Sequence, residues 1–157
     1  MTSLVRLAAI SMAALSLVGV TGCGGSDTKN SNDYVAELNK VQTDFANSVQ
    51  KVGTSSSAGS DPAAAAQKTF TNLSSAIDKV ISDLKGVDAP DDVKDLHNDL
   101  ISEMEQFKTQ VDKAASSLDS KDPKAILKAQ SEFAASASTL GTKISKTIDD
   151  INTKLHD

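Results

Sequence analysis

The chain has 157 residues, with 16 Lys and Arg against 21 Asp and Glu, two His, one Cys and no Trp. A formal charge of −5 argues against a nucleic-acid binder, which needs a basic surface to displace counterions from phosphates. One cysteine excludes an intrachain disulfide, and two histidines leave few ligands for a transition metal.

The first 22 residues have the order of an export signal. A short segment, whose one charged side chain is Arg6, precedes an apolar run of 14 residues from Leu7 to Val20, too short to span a bilayer as a permanent helix. The residues that follow, Val20-Thr21-Gly22-Cys23, resemble the lipobox of a bacterial lipoprotein. The resemblance implies cleavage between Gly22 and Cys23 and a diacylglycerol on the Cys23 thiol. We therefore expect a lipid-anchored protein on the extracytoplasmic face of the cell membrane.

An ordinary secretory leader, cut elsewhere, is the alternative, and it would leave Cys23 as a free thiol. The position of the only cysteine at the end of the motif favours lipidation. Cleavage there removes residues 1–22, leaves 135 of the 157 residues, and changes the formal charge from −5 to −6, because Arg6 is lost. Residues 24–32 have no apolar side chain, so we predict a flexible, lipid-anchored tether over residues 23–32.

The spacing of apolar residues predicts four helices between residues 33 and 157. Their expected spans are about 33–52, 62–85, 91–118 and 123–156. The second and fourth begin with Asp61-Pro62 and Asp122-Pro123, an N-cap aspartate followed by proline at the first helical position. Gly86 is expected to close the second helix in a left-handed conformation.

No segment alternates with the period of a strand over enough residues, so we predict an all-α fold. Short connections favour antiparallel neighbours and an up-down-up-down four-helix bundle. A three-helix bundle with a loosely attached first helix is the alternative. In the third helix the predicted core stripe passes through Val93, Leu96 and Leu100, which places His97 on the flank of that helix.

Each predicted helix contains one phenylalanine. These four account for every phenylalanine in the chain: Phe45, Phe70, Phe107 and Phe133. They lie at similar levels, about 10 to 16 Å from one end of the bundle at about 1.5 Å per residue. We therefore predict an aromatic layer in the half of the bundle away from the tether. An apolar ligand held between the helices would lie at this layer.

Neither histidine has the sequence surroundings of a catalytic base or of a metal ligand. His97 is expected on a helix flank, and His156 is the penultimate residue. Neither follows a glutamate by three positions, as in carboxylate-bridged metal bundles. Haem-attachment and phosphate-binding glycine motifs are absent from the sequence. We therefore expect a protein that is not an enzyme and binds no cofactor.

Five aspartates surround the predicted start of the third helix: Asp88, Asp91, Asp92, Asp95 and Asp99. Carboxylates in the first turns of a helix complement its positive end, which explains them without a ligand. Asp88, Asp91 and Asp92 are also a weak candidate for a calcium or magnesium site, because hard cations prefer several oxygen ligands. Their spacing is not that of an EF-hand.

Three segments resemble the small helical lipoproteins of unknown function found in actinobacteria: Gly22–Ser26, Tyr34–Asn39 and Ala89–His97. This resemblance implies no known activity. We expect a non-catalytic, lipid-anchored envelope protein whose helical faces bind another envelope protein or a cell-wall polymer. The alternative is a carrier or sensor that holds a small apolar molecule between the helices.

Overall fold

Four α-helices make up most of the part of the chain that the structure describes. The computed structural model describes residues 25–55, 62–120 and 123–156. The helices are α1 (Gly25–Ser55), α2 (Pro62–Lys85), α3 (Lys94–Ser117) and α4 (Pro123–His156), and a short 3-10 turn, Asp91–Val93, leads into α3. No strand occurs within these ranges, so the predicted all-α class is confirmed for them.

Successive helices pack against each other. α1 lies along α2, α2 along α3 and α3 along α4, while the 3-10 turn contacts both α3 and α4. Because neighbouring helices are joined by short connections, they run antiparallel and form the predicted up-down-up-down four-helix bundle. Tyr34 and Leu38 of α1 are only 1 % and 2 % exposed. The first helix is therefore part of the bundle, and the three-helix alternative is wrong.

α2 and α4 begin at Pro62 and Pro123, the positions that the Asp-Pro pattern predicts. Proline suits the first helical position because its fixed φ is already helical and an N–H is not needed there. The predicted capping aspartates, Asp61 and Asp122, lie outside the described residues.

The core is formed by one apolar stripe on each helix, with steps of three and four residues. Outside α3, the side chains that the predicted stripes and the core share are Tyr34, Leu38, Val41, Phe45, Ile77, Val80, Leu84, Ala137, Leu140, Ile144, Ile148 and Ile151. Fully burying one large aliphatic or aromatic side chain stabilises the folded state by about 1.5 to 3 kcal/mol. The four stripes together therefore provide the main force that holds the helices in contact.

The stripe of α3 differs from the predicted one near its start. Its buried positions are Val93, just before the helix, then His97, Leu100, Met104, Phe107, Val111 and Ala114. The steps alternate four and three from Val93 onward, so residue 97 faces the core, and Leu96 beside it is only partly buried. The prediction that His97 lies on the flank is therefore wrong. Polar groups on two other helices provide partners for its ring, which allows a histidine to occupy a core position.

α1 begins at Gly25, whereas the sequence predicts a helix start at residue 33 and a flexible tether before it. Residues 25–32 continue the helix, so the tether prediction is wrong for them. Extending an existing helix fixes one residue for each hydrogen bond gained, whereas starting one fixes several residues for the first bond. The packed segment from Tyr34 onward supplies that nucleus, and the preceding polar residues extend it.

α2 ends through two tight turns. Gly86 N–H donates to Asp83 O, and Val87 N–H donates to Leu84 O, both at 3.0 Å. Gly86 does not adopt the left-handed conformation, so that prediction is wrong. The last carbonyls of a helix lack partners within the helix, and these turns supply some of them.

Gly141 lies inside α4, where a Cβ atom would meet nothing within 4 Å. Because glycine loses more conformational freedom than alanine on helix formation, Gly141→Ala is expected to raise the free energy of unfolding by about 0.5 to 1 kcal/mol. Urea denaturation followed by circular dichroism measures this change. Gly86→Ala is the control, since its Cβ would lie 3.3 Å from Asp83 O and gain little. A lower stability of Gly141→Ala would contradict the open environment described for this position.

Candidate functional site

Tyr34 and His97 form a buried polar pair at the end of the bundle where α2 ends and α3 begins. The Tyr34 hydroxyl lies 3.2 Å from His97 Nδ1, and His97 Nε2 lies 3.0 Å from the Leu84 carbonyl oxygen. The two rings meet edge to face, with centroids 5.6 Å apart. Tyr34 is 1 % exposed and His97 is 4 % exposed. The imidazole therefore connects α1, α2 and α3 within the core.

These partners define the tautomer of His97. A carbonyl oxygen only accepts, so Nε2 carries the hydrogen and donates it to Leu84 O. Nδ1 of the neutral ring is then an acceptor, and the Tyr34 hydroxyl donates to it. Burial lowers the pKa of His97 below its ordinary 6.5, an effect partly offset by the bond to Leu84. Burial raises the pKa of Tyr34 well above its usual range, so the phenol stays protonated.

Both nitrogens of His97 are engaged, which distinguishes the pair from a catalytic base. Nucleophilic catalysis needs a histidine nitrogen that is able to take the proton of a serine or cysteine. His156 is exposed in the last turn of α4. A sequence signal for the core position of His97 exists: Leu100 to Met104 is a step of four, so strict alternation requires a step of three before Leu100, which selects position 97 over position 96.

Three of the four phenylalanines form a cluster across α2, α3 and α4. The rings of Phe70 and Phe133 meet edge to face at 5.2 Å, and those of Phe107 and Phe133 stack at 6.3 Å. Among the described residues, Phe45 is buried in the core without joining these ring pairs. The prediction of one layer of four rings is therefore corrected to a cluster of three.

The level of Phe45 explains its separation from Phe70. Lys79 Nζ lies 3.8 Å from a carboxylate oxygen of Asp44, so the turn of α1 that contains Phe45 lies within reach of the Lys79 side chain. Residue 79 lies about 14 Å along the helix from Phe70, at about 1.5 Å per residue. Phenylalanines that lie at similar residue distances from their predicted helix ends therefore do not all lie at the same height in the bundle.

Two hollows lie along the contact between α3 and α4. The larger is an open groove of about 430 Å³, lined mainly by polar side chains: Gln106, Thr109, Gln110, Ser136, Thr139 and Lys143. The smaller has about 10 Å³ and lies beside Phe133. Room for a single water needs roughly 10 to 15 Å³. Neither hollow is an apolar chamber of the size that a small apolar ligand requires.

Glu103 lies beside this groove, between α3 and α4. The Thr147 hydroxyl donates to Glu103 Oε1 at 3.3 Å, and Glu103 Oε2 is buried without a hydrogen-bond partner among the described residues. Burial raises the pKa of this carboxyl, and Asp99 raises it further, whereas Thr147 and Lys143 act in the opposite direction. The α3–α4 contact therefore contains a carboxyl group that takes up a proton more readily than an exposed glutamate.

Asp88, Asp91 and Asp92 are exposed near the start of α3. The described residues contain no group of three or more His, Cys, Asp or Glu side chains that could hold a metal ion. The three aspartates are therefore not brought together as the weak calcium or magnesium candidate requires. Asp91 and Asp92 lie in the 3-10 turn that precedes α3, where their negative charge interacts favourably with the positive end of the helix dipole.

Gly22 and Cys23, with the rest of the predicted leader, lie outside the described residues. Within the described ranges, no helix combines the length and the apolar character needed to cross a membrane. Comparisons with protein-family models, with characterised proteins and with solved structures found no match to this chain.

The contact between Phe70 and Phe133 is expected to couple the two residues energetically. In a double-mutant cycle with Phe70→Leu and Phe133→Leu, we expect a coupling energy of about 0.5 to 1.5 kcal/mol, as for other aromatic pairs. Chemical denaturation of the single and double variants measures it. The matched control cycle uses Phe45→Leu with Phe133→Leu and is expected to be additive within about 0.5 kcal/mol. Additivity in the first cycle would contradict the observed ring contact.

Proposed function

We propose that the protein is a non-catalytic lipoprotein, anchored by a diacylglycerol on Cys23 at the extracytoplasmic face of the cell membrane. Its helical bundle binds another component of the cell envelope, either a protein or a cell-wall polymer. The observation that carries the proposal is the position of the only cysteine, directly after Val20-Thr21-Gly22 and a 14-residue apolar run. Two acyl chains form a stable anchor at about 0.8 kcal/mol per buried methylene, whereas one chain binds only marginally.

The position of the start of α1 indicates which end of the bundle faces the proposed lipid anchor. The helix begins at Gly25, two residues after Cys23, so little chain separates the proposed lipid from the helical part of the protein. Nine residues separate Gly25 from Tyr34, and at about 1.5 Å per residue they cover about 14 Å. The end of the bundle that contains Tyr34 and His97 therefore faces the membrane in this proposal.

The acidic residues at this end support a position above the bilayer surface. Asp88, Asp91, Asp92 and Asp95 are exposed there. Anionic headgroups repel carboxylates, with an interaction of order 1 kcal/mol for each charge close to the surface. The bundle is therefore expected to stand off from the bilayer, which leaves its long faces open to partners.

The interior of the bundle favours binding on an outer surface. Core positions between the helices are occupied by Phe70, Phe107 and Phe133, whose rings contact one another. The hollow beside Phe133 has about 10 Å³, far below the several hundred Å³ of a typical ligand pocket. The groove between α3 and α4, by contrast, is open and exposes both polar and apolar surface, as suits contact with a hydrated polymer or a protein.

Mass spectrometry of the protein purified from native membranes tests the anchor. We expect the mature chain to begin at Cys23 and to carry a diacylglycerol, because the lipobox directs both steps. Cys23→Ser is expected to leave the protein without lipid and to move it out of the membrane fraction. Ser26→Ala, which leaves the motif intact, is the matched control. An unmodified Cys23 in membrane-derived protein would show that an ordinary leader is cut instead.

Photocrosslinking in intact cells tests binding at the helical faces. A photoreactive residue is placed at one exposed position on each helix: Ala46, Ser82, Asn98 and Thr139. We expect discrete adducts from one face only, and their loss in the Cys23→Ser variant, because binding needs the anchored position. Equal labelling at all four positions, or adducts that persist without the anchor, would contradict a face-specific envelope partner.

A further inference from the structure

We propose that His97 is a pH-sensitive latch. Its neutral imidazole holds the start of α1 against α2 and α3, and its protonation in mildly acidic medium releases that segment while the rest of the bundle stays folded. The latch rests on the contacts of Tyr34, Leu84 and His97. It does not depend on the lipid anchor or on an envelope partner, so it is tested separately from the proposed function.

The hydrogen bonds of the latch fit only the neutral ring. Leu84 O requires a hydrogen on Nε2, and the Tyr34 hydroxyl requires a free lone pair on Nδ1. A proton on Nδ1 would point at the Tyr34 oxygen, which already uses its own hydrogen to reach that nitrogen. The hydroxyl would then have to rotate and accept, and its hydrogen would lose its partner in a site that is almost fully buried.

The charged groups around this end of the bundle do not compensate a buried imidazolium. The surrounding elements carry Asp33 and Glu37 on α1, Asp83 and Lys85 on α2, Asp88 in the turn after α2, Asp91 and Asp92 in the 3-10 turn, Lys94 and Asp95 on α3, and Lys154 and His156 on α4. All are exposed except Asp83, which is partly buried and paired with Lys79. Burial, opposed only by the bond to Leu84, therefore determines the lowered pKa of His97.

The start of α1 is the segment that the His97 contact ties to α3. Tyr34 reaches across to α3, whereas α1 otherwise lies along α2. Asn32 Oδ1 is buried without a hydrogen-bond partner among the described residues. Opening this turn gives that oxygen access to water, which offsets part of the lost burial. Val41 and Phe45, beyond the segment that opens, continue to hold the rest of α1 in the core.

The buried His97 and the partly buried Glu103 give opposite responses to acid. His97 has a folded-state pKa below its ordinary 6.5, so its contribution to stability is full above pH 6.5 and declines as the pH falls. Glu103 has a folded-state pKa above its ordinary 4.5, so its contribution grows as the pH falls toward 4.5. These opposing terms act on different contacts. A melting curve reports their sum, and only a local measurement separates them.

Nuclear magnetic resonance of the full chain provides that local measurement. The chain has only two histidines, His97 and the exposed His156, so the ring signals of His97 are readily assigned. We expect His97 to hold its hydrogen on Nε2 at pH 7.5 and to titrate below its ordinary pKa of 6.5. Amide exchange at residues 31–38, corrected for its intrinsic pH dependence, is expected to rise between pH 7.5 and 5.5, by at most about tenfold for a histidine whose ordinary pKa is 6.5. Exchange at Ile144–Ile151 of α4 is not expected to rise.

Matched variants complete the test. His97→Gln retains a donor for Leu84 O but does not titrate, so it is expected to abolish the pH dependence at residues 31–38. His156→Gln is expected to leave that dependence unchanged. The latch is wrong if His97 titrates at or above its ordinary 6.5, if exchange rises equally in all four helices, or if the rise persists in His97→Gln. Should His97→Gln fail to fold, comparison of α1 with α4 in the unmodified chain still decides between these outcomes.

Discussion

Burial of the apolar stripes is the constraint on which the four helices depend. Their exposed positions are rich in Ser, Thr, Asp and Asn, which favour a helix only weakly. Several hydroxyls also bond the carbonyl four residues earlier, as Thr71 does to Gln67 and Thr109 does to Glu105. Such bonds do not strengthen a helix. Each helix is therefore stable only while its neighbours cover its stripe, and this mutual packing places the His97 pair and the α3–α4 groove.

Polar contacts between helices set the register of this packing more than its strength. Lys108 pairs with Asp78 at 3.6 Å, and Ser74 donates to Asp112, so two successive turns of α2 and α3 are matched. Exposed ion pairs each contribute about 0 to 1 kcal/mol. A shift of one turn would break these contacts together, although the apolar stripes themselves would tolerate it. The polar contacts between α2 and α3 therefore favour one register of the two helices among several that apolar packing allows.

Local sequence patterns predicted the helices, whereas the positions of the side chains in the candidate site depend on contacts between residues that are distant in the sequence. Asp-Pro pairs and the alternation of three and four residues give the starts of α2 and α4 and the stripes of α1, α2 and α4. The core position of His97 depends on Tyr34 and Leu84, 63 and 13 residues away. Phe45 departs from the predicted layer because helix ends do not fix relative heights. The residues at the start of α1 have no apolar pattern that predicts a helix. They are helical because the packed segment that follows them has already formed one, which they extend.

The pairing of each helix with the next also bears on how the chain folds. Contacts between successive helices close short loops, and chains dominated by such local contacts fold in microseconds to milliseconds. The bond between Tyr34 and His97 is different, because it joins residues 63 positions apart. Closing that loop costs more chain entropy than closing the loop between two successive helices. The cost is smaller once the intervening helix pairs have formed, because they shorten the flexible part of the loop. The start of α1 is thus expected to dock after the remaining helices have assembled.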